Sequence, residues 1–386
     1  MPSSAPEIPP VQCFHHIEFF VSNAKQASFW HCFHFDFRRF AQRQTENASE
    51  IAIRKGPIIF VFKCSISPED SEGIGAEVGK RGDFVKDVSY EVDNLDSVLA
   101  TLQENGLELL APKQMTTDQN GCLFVAKIAG SAGSIAHTLI QNVDYRGLFM
   151  PGFHPIADFS LTSTLLPSIS LLCLDHVVEA HPEQSLGNVV DWYQQTLQMR
   201  RFWSIDDKTV HTEFSALRAL LVGNGGASGS VKMVLVEPAT VEGTKRRNGQ
   251  IEDFLRFHGS SGIQHIAFRT ENIVDSVRSL RERGVEFLDI PDSYYEMMKE
   301  RLAGSKFNEQ IGKDLGEIRN MKILMDFDEH GYLLQIFTKP IQDRMTFFLE
   351  IIQRQNFDGF GAGNFRALFA AVEMEQKRRE EEQQKS

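Results

Sequence analysis

The sequence predicts an α+β fold made of four copies of one module, grouped into two duplicated halves. Three observations carry this: four strand-like apolar runs each followed by an amphipathic helical run, a spacing of roughly 80 residues between copies, and an aperiodic proline-containing stretch near the middle. That spacing exceeds the common solenoid repeats, so it indicates duplicated domains and not a stacked array.

The first copy begins with CFHHIEFFV at 13 to 21, passes through the helical AKQASFWHCF and continues with IAIRKGPIIFVFK. The second begins with VKDVSYEV at 85 to 92, has the helix LDSVLATLQENG, and ends in CLFVAKI and SIAHTLIQ. The third runs LCLDHVVEA, NVVDWYQQTLQ, LRALLVGN and VKMVLVEP, and the fourth IQHIAFRT, IVDSVRSLRERG, ILMDFDEHGYLLQIFTK and TFFLEII. Each module is thus a strand, a helix and two or three further strands. The strands are β-branched and aromatic runs bounded by Gly, Pro and Asn. The helices place apolar residues at i, i+3 and i+4, as Val274, Val277 and Leu280 do in the fourth copy, with Gly284 as the stop.

These runs divide the chain into an N-terminal domain at 12–147, a linker at 148–170 and a C-terminal domain at 171–356. A helix at 357–378 follows, where Phe365, Leu368, Phe369 and Val372 recur at i, i+3, i+4 and i+7, and the charged tail 379–386 ends the sequence.

With 386 residues, 42% hydrophobic and 24% charged, the chain has the composition of a globular protein with more than one core. A net charge of −12, a pI near 5.5 and no basic stripe argue against nucleic acid and anionic membranes as partners. Cysteines 13, 32, 64, 122 and 173 form no CxxC pair, as expected of reduced thiols and not of a disulfide framework or a zinc site. No apolar run reaches a membrane span, and MPSSAPEIPP lacks the arginines of a transit peptide, so the expected location is cytoplasmic, with a mitochondrial one as the alternative.

His176, His265 and Glu350 each lie inside a strand-like run: LLCLDHVV, GIQHIAF and TFFLEII. A lone histidine in a strand is more often a hydrogen-bonded core residue than a ligand. Here the two histidines occupy matching places, after a D-H and a Q-H step in the first strands of the third and fourth copies. Glu350 sits among apolar neighbours, where a carboxylate costs several kcal/mol unless it is paired or metal-bound, a buried salt bridge being the competing explanation. Two imidazoles and a carboxylate make the facial set of a mononuclear iron oxygenase, whereas zinc would more often have a fourth ligand or a hydrolytic water. Aligned with these positions, the N-terminal half offers His16, Asp87 and about Thr138, an incomplete set, so metal is expected in the C-terminal half alone.

The motifs LDHVV, FWSIDD, HTEFSALR, GIQHIAF, GYLLQIFTKP, FFLEIIQR and GFGAGNF, with WHCF and DFVKDVSYEV upstream, closely resemble those of the 4-hydroxyphenylpyruvate dioxygenase family, which includes 4-hydroxymandelate synthase and the dioxygenase-like protein of animals. The resemblance implies vicinal-oxygen-chelate (glyoxalase-like) βαβββ modules, four copies in two half-barrel domains, with a C-terminal gating helix. It implies Fe(II) held by His176, His265 and Glu350, with an arylpyruvate and dioxygen as small-molecule partners and a homodimer or other homo-oligomer as the assembly. The substrate's own 2-oxo acid would chelate the iron. Gln264, Gln335 and Gln250 match the family's catalytic glutamines. Phe337, Phe348, Phe360, Phe365 and Phe369 match its aromatic wall and gating helix, on which Asn364 also lies.

Three pocket positions depart from the homogentisate-forming enzymes: Ala219 stands for Ser, and Val234 and Val236 stand for Pro and Asn. Losing the Asn amide forfeits a hydrogen bond worth ~0.5–1.5 kcal/mol net. If the ring cannot approach the oxidant, the benzylic carbon becomes the target. The expected product is therefore 4-hydroxymandelate, with homogentisate as the alternative. An extradiol ring-cleaving dioxygenase and a non-catalytic arylpyruvate-binding paralogue are the competing readings.

Overall fold

The computed structural model describes residues 10–70, 73–107, 109–131, 133–157, 165–205, 217–225, 231–240, 249–312, 314–357, 359–365, 367–368, 370–374 and 381. Two mixed β-sheets, one per half, carry the four modules, and each curls into a half-barrel.

The first sheet contains β1 (Val11–Phe20), β2 (Arg38–Gln44), β3 (Ala48–Lys55), β4 (Ile58–Ser65), β5 (Phe84–Val92), β6 (Leu109–Asp118), β7 (Gly121–Ala129), β8 (Ala136–Asn142) and the short β9 (His154–Pro155). Its order is β6-β7-β8-β5-β1-β4-β3-β2-β9. The second contains β10 (Cys173–Ala180), β11 (Arg200–Ile205), β12 (Leu217–Gly223), β13 (Lys232–Pro238), β14 (Gly262–Arg269), β15 (Leu324–Phe327), β16 (Tyr332–Phe337) and β17 (Phe348–Gln355), in the order β11-β12-β13-β10-β14-β17-β16-β15. In both sheets the first strands of two modules pair antiparallel at the centre, and each pairs parallel with the last strand of its own module.

Every module has three strands after its helix, one more than some of the sequence runs show. The additional ones are β2, β6 and β11, together with the division of ILMDFDEHGYLLQIFTK into β15 and β16. The module helices are α1 (Ala24–Phe35), α3 (Leu95–Glu104), α4 (Leu186–Leu197) and α6 (Ile273–Glu282). Asn23, Asn94 and Asn272 cap three of them by accepting the backbone N–H of Gln26, Ser97 and Asp275. In α6, Val277 and Leu280 are buried, Val274 is half-buried, and Gly284 (φ +81°) follows the last turn, as expected of a glycine stop. α2 (Ile74–Arg81) and α5 (Gln250–His258) precede the second and fourth modules.

Two segments differ from expectation. The stretch expected as a linker joins the first sheet through β9, which pairs with β2, and its Phe149 and Phe153 pack with Phe40 and Ala41. The fourth module carries an insertion of α7 (Asp292–Ala303), α8 (Asn308–Ile311) and α9 (Leu315–Asn320), with Tyr294, Tyr295, Met298 and Leu302 of α7 buried.

The two sheets share one core. Phe268 of β14 meets Phe35, Phe37 and Phe60 at ring distances of 6.0, 6.1 and 5.9 Å, and Phe347 meets Phe19 at 5.4 Å. Arg283, with 1% exposure, donates to the carbonyls of Pro167 and Phe33 and to Asp36 Oδ1 at 2.7, 2.6 and 3.0 Å, tying the first helix and the connecting segment to α6. After β17, residues 362–364 form a 3₁₀ turn, and 365, 367–368 and 370–374 are helical. Leu368 and Ala371 are buried there and Phe365 and Val372 pack against the core, while Phe369 and most of the charged tail lie outside the described residues.

Candidate metal centre and its pocket

His176, His265 and Glu350 lie on β10, β14 and β17, which are adjacent strands. Ala267 is the register partner of both His176 and Glu350, and His265 precedes it by two residues on the same strand. Directly paired residues share a face, as do residues two apart, so all three side chains project from one side of the sheet.

Nε2 of His176 and of His265 lie 3.2 and 3.5 Å from Glu350 Oε2. Among the described residues, this is the group of three His, Cys, Asp or Glu side chains whose ligand atoms come together, all within 4.8 Å. Burial would raise the Glu350 carboxyl, but His176 and then His265 outweigh it and hold it below its usual range. Burial works against a charge on His176, yet Glu350 and Asp175 raise it; burial lowers His265.

The outer nitrogens are fixed as well. His176 Nδ1 lies 2.8 Å from Asp175 Oδ1, and His265 Nδ1 lies 3.2 Å from Gln264 Oε1. Both oxygens are acceptors, so each ring carries its Nδ1 proton there and presents Nε2 to the centre. Asp175 sits at a bulge, where Leu174 and His176 face consecutive residues of β14, so neighbouring side chains can meet on one side. Arg354, four residues after Glu350, grips Asp175 with Nε–Oδ2 and Nη2–Oδ1 contacts of 2.9 Å. Burial would raise the Asp175 carboxyl, but Arg354 and His176 hold it far below the carboxylate range.

This donor set fits a divalent metal: two oriented imidazoles, one buried carboxylate and an open side. That side faces a cavity lined by Val178, Leu217, Val234, Val236, Gln250, Ile251, Gln264, Phe337, Phe348, Phe360, Phe365 and Leu368 besides the three ligands. Phe348 stacks on His265 with centroids 4.6 Å apart, and Phe360 meets His176 edge-on at 5.0 Å.

Of the other expected site residues, Gln250, Gln264, Val234, Val236, Phe337, Phe348, Phe360 and Phe365 are in this wall. Three expected pocket or catalytic residues are not. Ala219 is fully buried beside it, on the next strand outward and on the face it shares with its register partner Val236, and it packs in one cluster with Val178, Val234, Val236 and Phe360. Gln335 is buried against Gly361, where a Cβ would come within 2.6 Å of its Oε1. Asn364 accepts a 2.8 Å hydrogen bond from the Tyr294 hydroxyl of the inserted α7 and so anchors the start of the C-terminal helix. Asp175, Arg354 and Tyr294 were absent from the sequence expectation. The D-H and Q-H steps contained the signal for the first, since each places an acceptor beside the ligand.

The fold and the trio define the class: a metalloenzyme built from glyoxalase-like modules. Residues 174–336 match the Glyoxalase/Bleomycin resistance protein/Dioxygenase superfamily. The chain belongs to the 4-hydroxyphenylpyruvate dioxygenase family and is a dioxygenase. It is 44% identical to the 4-hydroxyphenylpyruvate dioxygenase of Caenorhabditis elegans over 97% of this chain and 94% of that one. It is 42% identical to that of Danio rerio over 95% and 91%. A triple variant of 4-hydroxymandelate synthase from Streptomyces coelicolor superimposes with a TM-score of 0.80 at 28% identity, covering 95% of this chain and 99% of that one. Among the described residues, no helix is long and apolar enough to cross a membrane.

Proposed function

We propose that the chain is an Fe(II)-dependent 4-hydroxyphenylpyruvate dioxygenase whose product is homogentisate. The observation that carries this reading is the buried His176, His265 and Glu350 trio opening into an aromatic cavity, in a chain whose curated relatives of 42–44% identity bear that enzyme's name.

Bound by the trio, iron(II) would supply coordination positions for a 2-oxo acid and dioxygen and the redox chemistry of their reaction. The protein's part is to position and enclose. Asp175 with Arg354, and Gln264, hold the two imidazoles in one tautomer and orientation. Phe337, Phe348, Phe360 and Phe365 form a slot for one aromatic ring, and their apolar faces exclude water from it. Gln250 and Gln264 are the amides in that wall, and an uncharged donor and acceptor suits a phenol hydroxyl better than a carboxylate would. The C-terminal helix, through Phe365 and Leu368, closes the mouth.

The mandelate-forming expectation rested on Ala219, Val234 and Val236 acting together, and it gives way here. Ala219 stands one strand further from the ligands than Val236, so of the three changed positions it is the two valines, beside Gln250 and Gln264, that line the cavity itself. The mandelate synthase neighbour is also the more distant relative, at 28% identity. Incubation with Fe(II), ascorbate and 4-hydroxyphenylpyruvate, followed by chromatographic separation of homogentisate from 4-hydroxymandelate, tests the reading. Homogentisate as the main product supports it. 4-Hydroxymandelate would restore the valine argument, and dioxygen uptake with catechols alone would move the chain to ring cleavage.

A further inference from the structure

The interior of the N-terminal half holds charge where the C-terminal half holds ligands and apolar wall. Around the site the two sheets pair in the same register. Glu18 faces Asp87 as Val178 faces His265, and His16 faces Ser89 as His176 faces Ala267. Lys127 faces Thr138 as Phe337 faces Glu350, and Glu50 faces Lys63 as Ala219 faces Val236. The bulge recurs too, at His15 in the place of Asp175. Even the cover is repeated: Phe149 meets His16 edge-on at 5.2 Å, as Phe360 meets His176 at 5.0 Å.

Within this frame the Lys127 ammonium lies 3.0 Å from Asp87 and 3.8 Å from Glu18, two carboxylates that are direct cross-strand partners. Like charges opposed in this way destabilise a sheet unless a cation sits between them. The neighbouring cations Arg43 and Lys63 are engaged by Glu50 at 2.6 and 3.0 Å. Asp87 is completed by the hydroxyls of Ser89 and Thr138, both at 2.8 Å. Its surroundings are built to hold a positive charge.

We propose that Lys127 is the resident cation of the N-terminal half, its ammonium standing where the duplicated frame places the metal in the other half, and that removing it leaves the opposed carboxylates of Asp87 and Glu18 to take up a divalent cation in its place. The comparison rests on the reading of His176, His265 and Glu350 as metal ligands, while the new claim concerns only the difference between the parent chain and its Lys127 variants.

Cobalt(II) is a suitable probe, because its visible absorption reports nitrogen and carboxylate ligation. Calorimetric titration of the full chain with CoCl₂ is expected to give one site for the parent, two for Lys127→Ala, and one for Lys127→Arg and for Lys127→Ala/Asp87→Asn. The parent stoichiometry reads the C-terminal trio, so a failure there shows in the parent and leaves the increment readable. A folded Lys127→Ala chain that binds no more cobalt than the parent overturns the proposal. If Lys127→Ala folds only with cobalt, and Lys127→Ala/Asp87→Asn folds without it, the proposal stands. A Lys127→Ala chain that stays unfolded in cobalt overturns it.

Discussion

Replacing Asp175 by Asn keeps the shape of the side chain beside His176 and removes its charge. In the parent, the Asp175 carboxylate takes the Nδ1 proton at 2.8 Å and two contacts of 2.9 Å from Arg354, with 5% of the residue exposed. The amide still accepts from His176 through one oxygen, so ring orientation survives. What is lost is the charge-assisted part of that bond, roughly half its strength, together with the counter-charge of a buried guanidinium. Partners of this kind typically change metal affinity ~10–100-fold, which corresponds to ~1.4–2.8 kcal/mol. The assay is a competitive Fe(II) or Co(II) titration of the parent, Asp175→Asn and Gln264→Leu, the last removing the neutral acceptor at His265. Asp175→Asn is expected to weaken binding by at least about tenfold. An unchanged affinity in a folded Asp175→Asn chain would refute the reasoning, because the carboxylate would then contribute nothing to the basicity of His176.

Arg283→Met strips donors from two carbonyls and Asp36 in the shared core, and is expected to destabilise the chain by ~3–5 kcal/mol in urea unfolding; a loss below ~1 kcal/mol contradicts the clamp. Burial would raise the Asp36 carboxyl, but Lys55, Ser168 and Arg283 together depress it. Its contribution is therefore full above the unfolded carboxyl range and lost as pH falls through the lower folded value, so the stability gap between the parent and Asp36→Asn should be constant near neutrality and shrink below about pH 4. Gly361→Ala places a Cβ 2.6 Å from Gln335 Oε1 at φ +70°, and is expected to lower the thermal midpoint and raise KM for the arylpyruvate through a displaced C-terminal segment.

The modules were legible because their first strands and helices are buried on definite faces, and burial leaves a periodic trace in the residues. β2 (RRFAQRQ) and β6 (LLAPKQMTTD) left none, since both run near sheet margins with many half-exposed or exposed positions. The ligands could be found because a carboxylate or imidazole inside an apolar strand is costly and conspicuous. Arg354 could not, because its partner Asp175 is two strands away and the register that joins them passes through β14. Ala219 was legible as a neighbour of the valines, but a single strand does not disclose that it stands one strand further from the ligands than Val236. Gln335 packs against Gly361 and Asn364 bonds to Tyr294 of α7, an insertion in the fourth module with no counterpart in the other three among the described residues, and neither contact leaves a trace in the local sequence.

The bulge at Asp175 recurs at His15 although one half gathers a metal-ligand set and the other a lysine-bridged pair of acids. It therefore belongs to the scaffold and not to either set of side chains. There the strand turns two successive residues toward the same interior, so a ligand and the group that orients it are supplied by neighbours in the chain, as Gln264 and His265 are at the second irregularity of the same strand pair. New ligand pairs can arise there by two adjacent substitutions. A one-residue deletion at the bulge, by contrast, would rotate His176 away from Glu350 while leaving every ligand in the sequence intact.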